Sequence, residues 1–295
     1  MNEVRGSIAQ KKLSGWINGL IAVVLASGSL PATKVAVLSF SPIFLTVARA
    51  AIAGILALCV LLLFKETKPS GKQIYSLAIV SLGVVAGYPF LSALALQYVT
   101  SAHSIIFIGL LPLATALFGV FCDGERPHAV FWLFSILGSL LVVGYAFYQG
   151  VNVSPLGDML MFGAIILCAL GYAEGAKLSR TLGGWQVISW ALVLSLPIMA
   201  TLTFIYLPSS FTGVSTGAWT GLAYNSLVSM FIALIFWYRG LAQGGVASVG
   251  QLQLLQPLFG LVLAATLLHE KVSLGIIGVT IGVLLCVAGS KKFAG

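Results

Sequence analysis

Charge is scarce in this chain: 7% of its 295 residues are Asp, Glu, Lys or Arg, against about a quarter in an ordinary soluble domain. So little charge cannot coat a core of matching size in water, which excludes a cytosolic enzyme, a disordered tail and a small secreted scaffold. Acid is the scarcer sign, with seven Asp and Glu against fifteen Lys and Arg. The net charge of +8 sits in short breaks between apolar runs, not along a stripe that tracks phosphates, so no nucleic acid is expected as a partner. Three histidines (His103, His128, His269) and four cysteines (Cys59, Cys122, Cys168, Cys286) are scattered, without metal or CxxC spacing. The histidines are expected to be solvated or capping groups and the cysteines packing residues, with no metal bound. No Walker loop, HExxH or GxSxG is present, so neither an enzyme activity nor a cofactor is expected.

Apolar residues fill the space that charge leaves, at 59% of the chain and a mean hydropathy of +1.08. Runs near the 20 residues that cross a bilayer as a helix fall at 16–34, 42–64, 73–98, 102–122, 129–148, 156–176, 185–207, 217–239, 246–268 and 273–290. They predict an all-α integral membrane protein of ten transmembrane helices set in the lipid bilayer. With the N-terminus cytoplasmic, that side receives Arg5, Lys11, Lys12, Lys65, Lys68, Lys72, Arg126, Lys177, Arg180, Arg239, Lys291 and Lys292. The other side receives Lys34 and Lys271, and Arg49 stays inside the second span. By the positive-inside rule both termini are cytoplasmic. Lys11 and Lys12 ahead of an apolar run ending at Leu25-Ala26-Ser27-Gly28 imitate a signal peptide, but nine further spans mark a retained helix.

The chain also repeats itself. Residues 90–128 align without a gap on 235–273, placing Leu96 on Leu241, Ala102 on Ala247, Pro112 on Pro257, Glu125 on Glu270 and Arg126 on Lys271. Gly28–Lys34 pairs similarly with Gly171–Lys177. The halves are 1–149 and 155–295, each with five spans. Five is odd, so the second half enters the membrane from the opposite side, and the fold is expected to be two inverted five-helix repeats, the architecture of secondary transporters.

Short segments in order along the chain resemble the EamA-type members of the drug/metabolite transporter superfamily. In the first half these are Ala32-Thr33-Lys34, Ser41-Pro42, Ala48-Arg49, Tyr98 to Ala102, Leu111-Pro112 and Gly124-Glu125-Arg126. In the second they are Gly157-Asp158, Tyr238 to Leu241, Pro257-Leu258 and His269-Glu270-Lys271. The resemblance covers almost the whole length. It implies a ten-helix carrier of the cell (inner) membrane, driven by protons or by a substrate gradient, many relatives of which export amino acids or other small metabolites. It also implies a central cavity ringed by the first, third, fourth, sixth, eighth and ninth helices, with the second helix peripheral. The sequence departs from the family pattern at Gly28-Ser29-Leu30-Pro31 and at His269. An importer with the same fold, or a non-transporting membrane enzyme or scaffold, are the competing readings; whether the chain works as a monomer or homodimer stays open.

Polar groups inside spans are the candidate transport residues, because lipid tolerates them only when they face a cavity or one another. Glu174 is the first, as a carboxylate that exchanges a proton for substrate, with Lys177 three residues on as the ion pair that would make it merely structural. Tyr88, Ser92, Tyr172, Tyr224, Asn225, Ser229, Gln253 and Gln256 are expected to line the substrate path, with Gln251 near the last two. Few fixed charges there suit a neutral or zwitterionic solute. Pro112 and Pro257 break the fourth and ninth helices and are candidate hinges. Arg49 either meets a substrate carboxylate or is structural, snorkelling outward and binding backbone carbonyls, and the peripheral second helix that the resemblance implies favours the structural role. Trp185, Trp237 and Tyr238, near span ends, are expected in an interfacial belt. Small-residue pairs such as Gly83 with Gly87, Gly171 with Gly175 and Gly217 with Gly221 are assigned to helix packing.

Overall fold

The computed structural model describes residues 2–95, 97–99, 101–148, 154–268 and 274–294, and every regular element among them is helical. The helices form ten columns. The first, α1, is Asn2–Ser27 continued past a bend at Gly28 by Ser29–Ala36. Then come α2 (Pro42–Leu63), α3 (Gly71–Ala95), α4 (Ser101–Asp123), α5 (Ala129–Tyr148), α6 (Pro155–Ser179), α7 (Gly184–Ile205) and α8 (Thr216–Gly244). The ninth, α9, runs as Val246–Gly250, a 3₁₀ stretch Gln251–Leu255, and Gln256–Leu268; α10 is Leu274–Phe293.

Local sequence sets several of the starts. Ser41 accepts from the Phe44 N–H with Pro42 at the first helical position, Ser154 does the same for Gly157 with Pro155, and Ser215 for Ala218. A serine oxygen satisfies one of the orphan N–H groups of a helix start, and proline is tolerated there because its missing N–H is one of those orphans.

Among the described residues, six stretches are long and apolar enough to cross a membrane, drawn from α1, α2, α3, α6, α7 and α8. Two shorter apolar helices, Phe107–Asp123 and Ala129–Tyr145, belong to α4 and α5. Large apolar side chains face outward, among them Leu63, Phe121 and Phe204 at 79%, 78% and 76% exposure. An apolar exterior of this kind is stable in lipid and not in water. The protein is an all-α, multi-pass membrane fold of about ten helices. His269, Glu270 and Lys271, and with them one partner of the Glu125–Glu270 match, lie outside the described residues.

Two columns are locally unwound at matching places. Ser81–Gly87 in α3 and Tyr224–Ile232 in α8 carry π-helical hydrogen bonding. Their starts are 143 residues apart (224 − 81) and their ends 145 (232 − 87), the same shifts that relate the sequence repeats. A π-turn displaces backbone carbonyls from their usual partners and is frequent at functional sites.

Glycine governs the tightest contacts. A Cβ on Gly83 would overlap the Leu167 carbonyl of α6, one on Gly175 the Tyr238 ring, and one on Gly221 the Ala32 carbonyl. On Gly240 a Cβ would lie 2.7 Å from the Gly19 backbone nitrogen and 3.0 Å from the Gly15 carbonyl. Since backbone cannot swing aside, Gly240→Val must push α1 off α8. Overpacking of this kind costs about 1–3 kcal/mol, and a lowered melting temperature of the detergent-purified variant is the expected result.

Candidate functional site

Between α1, α6, α8 and α9 lies a small, partly open cavity of about 30 Å³, room for roughly one water. Tyr172 of α6, Ser229 and Trp237 of α8, and Gln253 and Gln256 of α9 wall it, facing Ala22, Val23 and Ala26 of α1. Trp237 stands edge-on to Tyr172, ring centres 5.4 Å apart at 64°. Two wall groups are buried without a hydrogen-bond partner: the Trp237 indole N–H, a donor, and Gln253 Oε1, an acceptor. These residues are 3% and 6% exposed. No charged side chain is in the wall, so the space suits a ligand group that accepts and donates hydrogen bonds against an aromatic face.

The structure thus brings together Tyr172, Ser229, Gln253 and Gln256 of the expected set. Tyr88 is one layer out, packed in the cluster that holds Tyr172 and Leu234. Ser92 is turned to its own helix, donating to the Pro89 carbonyl at 3.1 Å. Tyr224 and Asn225 sit at the bend of α1. The Tyr224 hydroxyl donates to the Leu25 carbonyl at 2.8 Å. Asn225, fully buried, accepts from Ser29 Oγ and donates to Thr33 Oγ1 and the Gly221 carbonyl. The Gly28-to-Pro31 segment is therefore tied to α8 through Ser29 and Asn225.

Glu174 lies off the cavity, between α3 and α6, accepting from Ser76 Oγ at 2.6 Å. The ion pair formed near this helix end is Arg180 with Asp123, and Glu174 is held by Ser76 instead of Lys177. Pro112 lies inside α4, where its carbonyl accepts from Gln251 Nε2 at 3.4 Å, so a side chain of α9 reaches the break in α4. Pro257 is the second residue of Gln256–Leu268; its side chain lies outside what is described.

Three expectations are corrected. Trp237 and Tyr238 are not belt residues: Trp237 walls the cavity, and Tyr238, fully buried, donates to the Gly171 carbonyl at 3.3 Å. The reason is depth, since α8 continues to Gly244 and puts Trp237 seven residues inside its end. The spacing Ser229, Ala233, Trp237 would have revealed this, because positions four apart share a helix face. Of the roles expected for Arg49, binding a backbone carbonyl through Nε is the one not seen, that nitrogen being buried without a partner. The cavity wall itself comes from α1, α6, α8 and α9, while α3 and α4 contribute by backing it through Tyr88, Phe107 and Phe118.

At one end of the bundle the connections interlock. Arg180 forks onto Asp123 and also reaches the Ala242 carbonyl. Gln186 donates to Glu66. Glu125, just past α4, accepts from the Val246 and Ala247 N–H groups at 2.6 and 2.7 Å, one oxygen to each. Burial raises the Glu125 carboxyl above its ordinary value of 4.5, outweighing the two N–H bonds that pull the other way. At the opposite end Phe40, Phe44, Phe211 and Trp219 form an aromatic plug.

Comparison with known proteins agrees with this layout. The model of the EamA-like transporter family matches residues 13–147 and again 155–290. YdeK, an uncharacterized transporter of Bacillus subtilis (strain 168), is 61% identical over 284 residues, covering 96% of this chain and 99% of its own length. An uncharacterized transporter of Archaeoglobus fulgidus is 27% identical over 210 residues, 69% of this chain and 71% of its own. One crystal structure, at 18% identity, superposes with a TM-score of 0.81 over 96% of this chain and 98% of that one, a likeness of fold.

Proposed function

The chain belongs to the EamA-like transporter family, a secondary transporter of the drug/metabolite superfamily, and from that premise we propose that it exports amino acids or similar small metabolites by alternating access. The observation that carries this reading is the cavity between α1 and α6, α8 and α9, with an orphan donor and an orphan acceptor in an aromatic, uncharged wall. In this proposal 1–149 and 155–295 are inverted five-helix halves with both termini cytoplasmic, in the cell (inner) membrane. The double match of one family model and the paired π-helical segments support that arrangement. The end where Arg180, Asp123 and Glu125 interlock is then the cytoplasmic gate.

Counterflow in proteoliposomes tests the substrate class. Vesicles loaded with unlabelled leucine, phenylalanine or threonine are expected to accumulate the labelled counterpart, and failure with every member rejects amino acids. Topology is tested separately with an impermeant thiol reagent on whole cells. Thr212→Cys is expected to react and Lys65→Cys only after permeabilisation; equal labelling of both rejects the inverted arrangement.

Tyr88, Ser92, Tyr224 and Asn225 are assigned to the path as it opens, and Pro112 with Pro257 to its hinges. Glu174 is assigned to coupling, from a station between the cavity and the cytoplasmic end. Glu174→Gln keeps an acceptor for Ser76, so stability is expected to change by less than about 1 kcal/mol. Flux is expected to lose its response to an imposed pH gradient. A pH-driven flux equal to that of the parent removes Glu174 from the mechanism.

A further inference from the structure

The cavity between α1, α6, α8 and α9 is built where two helices leave regular α winding. Ser229 lies in the π-helical stretch Tyr224–Ile232 of α8, and Gln253 in the 3₁₀ stretch Gln251–Leu255 of α9. Winding at three residues per turn brings positions i and i+3 into line, and Gln253 and Gln256 wall the same space. Opposite them Ser229, Ala233 and Trp237 follow one another down a single face of α8. The Trp237 ring is braced by Tyr172 at 5.4 Å, and Tyr172 by Tyr238 at 6.3 Å.

What the wall lacks defines what it selects. The Trp237 indole N–H only donates and has no acceptor; Gln253 Oε1 only accepts and has no donor. Both side chains are almost wholly buried, and a group that satisfies both must carry an acceptor and a donor together. A carboxylate offers no donor to Gln253, and its charge would enter a wall that holds no cation. A hydrocarbon leaves both atoms unpaired. A carboxamide carries a carbonyl oxygen for Trp237 and an N–H for Gln253 in one rigid plane, and that plane packs against an aromatic ring. At about 30 Å³ the cavity takes the tip of a solute and leaves the remainder to its open side.

We propose that this cavity is a carboxamide-reading subsite, with Trp237 donating to the amide oxygen and Gln253 accepting from the amide N–H. The inference rests on the transport reading above, in which the cavity belongs to the substrate. It narrows the substrate class to solutes that end in an uncharged amide, of which a glutamine side chain and nicotinamide are examples.

The test uses the full chain purified in dodecyl maltoside and four probes of one shape, with melting temperature read against concentration. Nicotinamide offers both hydrogen bonds, and acetylpyridine keeps the carbonyl but loses the N–H. Nicotinate replaces the donor with a charge, and pyridylmethanol puts donor and acceptor on one atom. A ligand that binds only the folded form raises the melting temperature. Nicotinamide is expected to act on the parent at a midpoint concentration about tenfold below that of acetylpyridine, the factor that one lost hydrogen bond to a buried group is worth, and nicotinate to be weaker still. Gln253→Leu is expected to bring nicotinamide to the level of acetylpyridine without weakening acetylpyridine, whereas Trp237→Phe weakens both. A purely structural role does not give that crossed pattern, because a packing defect moves every probe alike. Silence toward nicotinamide, an equal midpoint for pyridylmethanol, a stronger response to nicotinate, or a Gln253→Leu variant that weakens all probes equally overturns the proposal. In proteoliposomes, labelled glutamine is expected to exchange with half-saturation about tenfold below that of leucine or glutamate. Amino acids exchanged without preference for glutamine sink the subsite and leave the transporter reading standing. The crossed pattern in melts with no amino acid exchanged keeps the subsite and rejects amino acids as cargo.

Discussion

Gln253→Leu is expected to stabilise the empty protein and to weaken its ligand. Gln253 Oε1 is buried in the cavity wall without a partner, in a side chain 6% exposed. Leaving a buried polar group unsatisfied costs about 1–3 kcal/mol, whereas an apolar side chain of similar volume carries no such penalty. The melting temperature of the ligand-free variant should therefore rise. The same carbonyl oxygen is the acceptor offered to a substrate, so affinity should fall by about tenfold to a hundredfold, the equivalent of about 1.4–2.8 kcal/mol. Trp237→Phe makes the matching change on the donor side, keeping an aromatic ring against Tyr172 while removing the unpaired indole N–H. Opposite signs for stability and binding are what distinguish a substrate-facing polar atom from an ordinary core contact, whose loss lowers both. Thermal melts of the empty variants and half-saturation in counterflow supply the two readouts. A variant that melts lower and transports normally returns Gln253 to the core.

The helices were legible because the lipid core imposes one length on them, so runs near 20 apolar residues locate columns without any knowledge of their neighbours. The site was legible only where polarity inside a span is itself the signal. Tyr172, Ser229, Gln253 and Gln256 met that description and do wall one cavity. Trp237 was missed because its distance from the span end was measured against residues 217–239, while α8 runs on to Gly244. Asn225 met the polar criterion and points elsewhere, because its partners Ser29 and Thr33 are almost 200 residues away in the bend of α1. Glu174 shows the same limit: its nearest sequence partner, Lys177, competes with Ser76 of another helix, and Ser76 holds the bond. Periodicity assigns a face to each residue, but which face of which helix it meets is settled by close approaches such as Gly83 on α6, and those depend on two distant stretches at once.

Glu125→Ala should be the most disruptive change outside the cavity. The carboxylate holds the first two N–H groups of α9, those of Val246 and Ala247, directly after Gly245, whose φ of 93° turns the chain into that helix. Removing a side-chain cap costs about 0.5–2 kcal/mol, and here one carboxylate serves two donors, so the upper part of that range is expected. Glu125→Gln retains a single acceptor and should fall between alanine and the parent. The pH dependence carries its own sign. Burial raises the folded-state carboxyl above its ordinary 4.5, ahead of the opposing bonds from Val246 and Ala247, with Asp123 adding to the rise and Arg180 opposing it. A raised folded value means that the pH-linked part of the stability tied to Glu125 is full below pH 4.5 and is lost as pH climbs through the folded value, while the two cap bonds remain and offset burial in part. The melting-temperature difference between parent and Glu125→Gln should therefore shrink with rising pH over that window; a difference that grows would contradict burial as the dominant cause. Glu125 also ties the end of α4 to the start of α9, so under alternating access both bonds must break whenever that end opens. Losing about 1–2 kcal/mol of closure corresponds to a five- to thirtyfold larger open population. Ser248→Cys, at a position now 9% exposed beside the capped turn, should react with an impermeant thiol reagent faster by that factor when Glu125 is alanine, and an unchanged rate would show that the cap is a fixture of the helix start and not part of a gate.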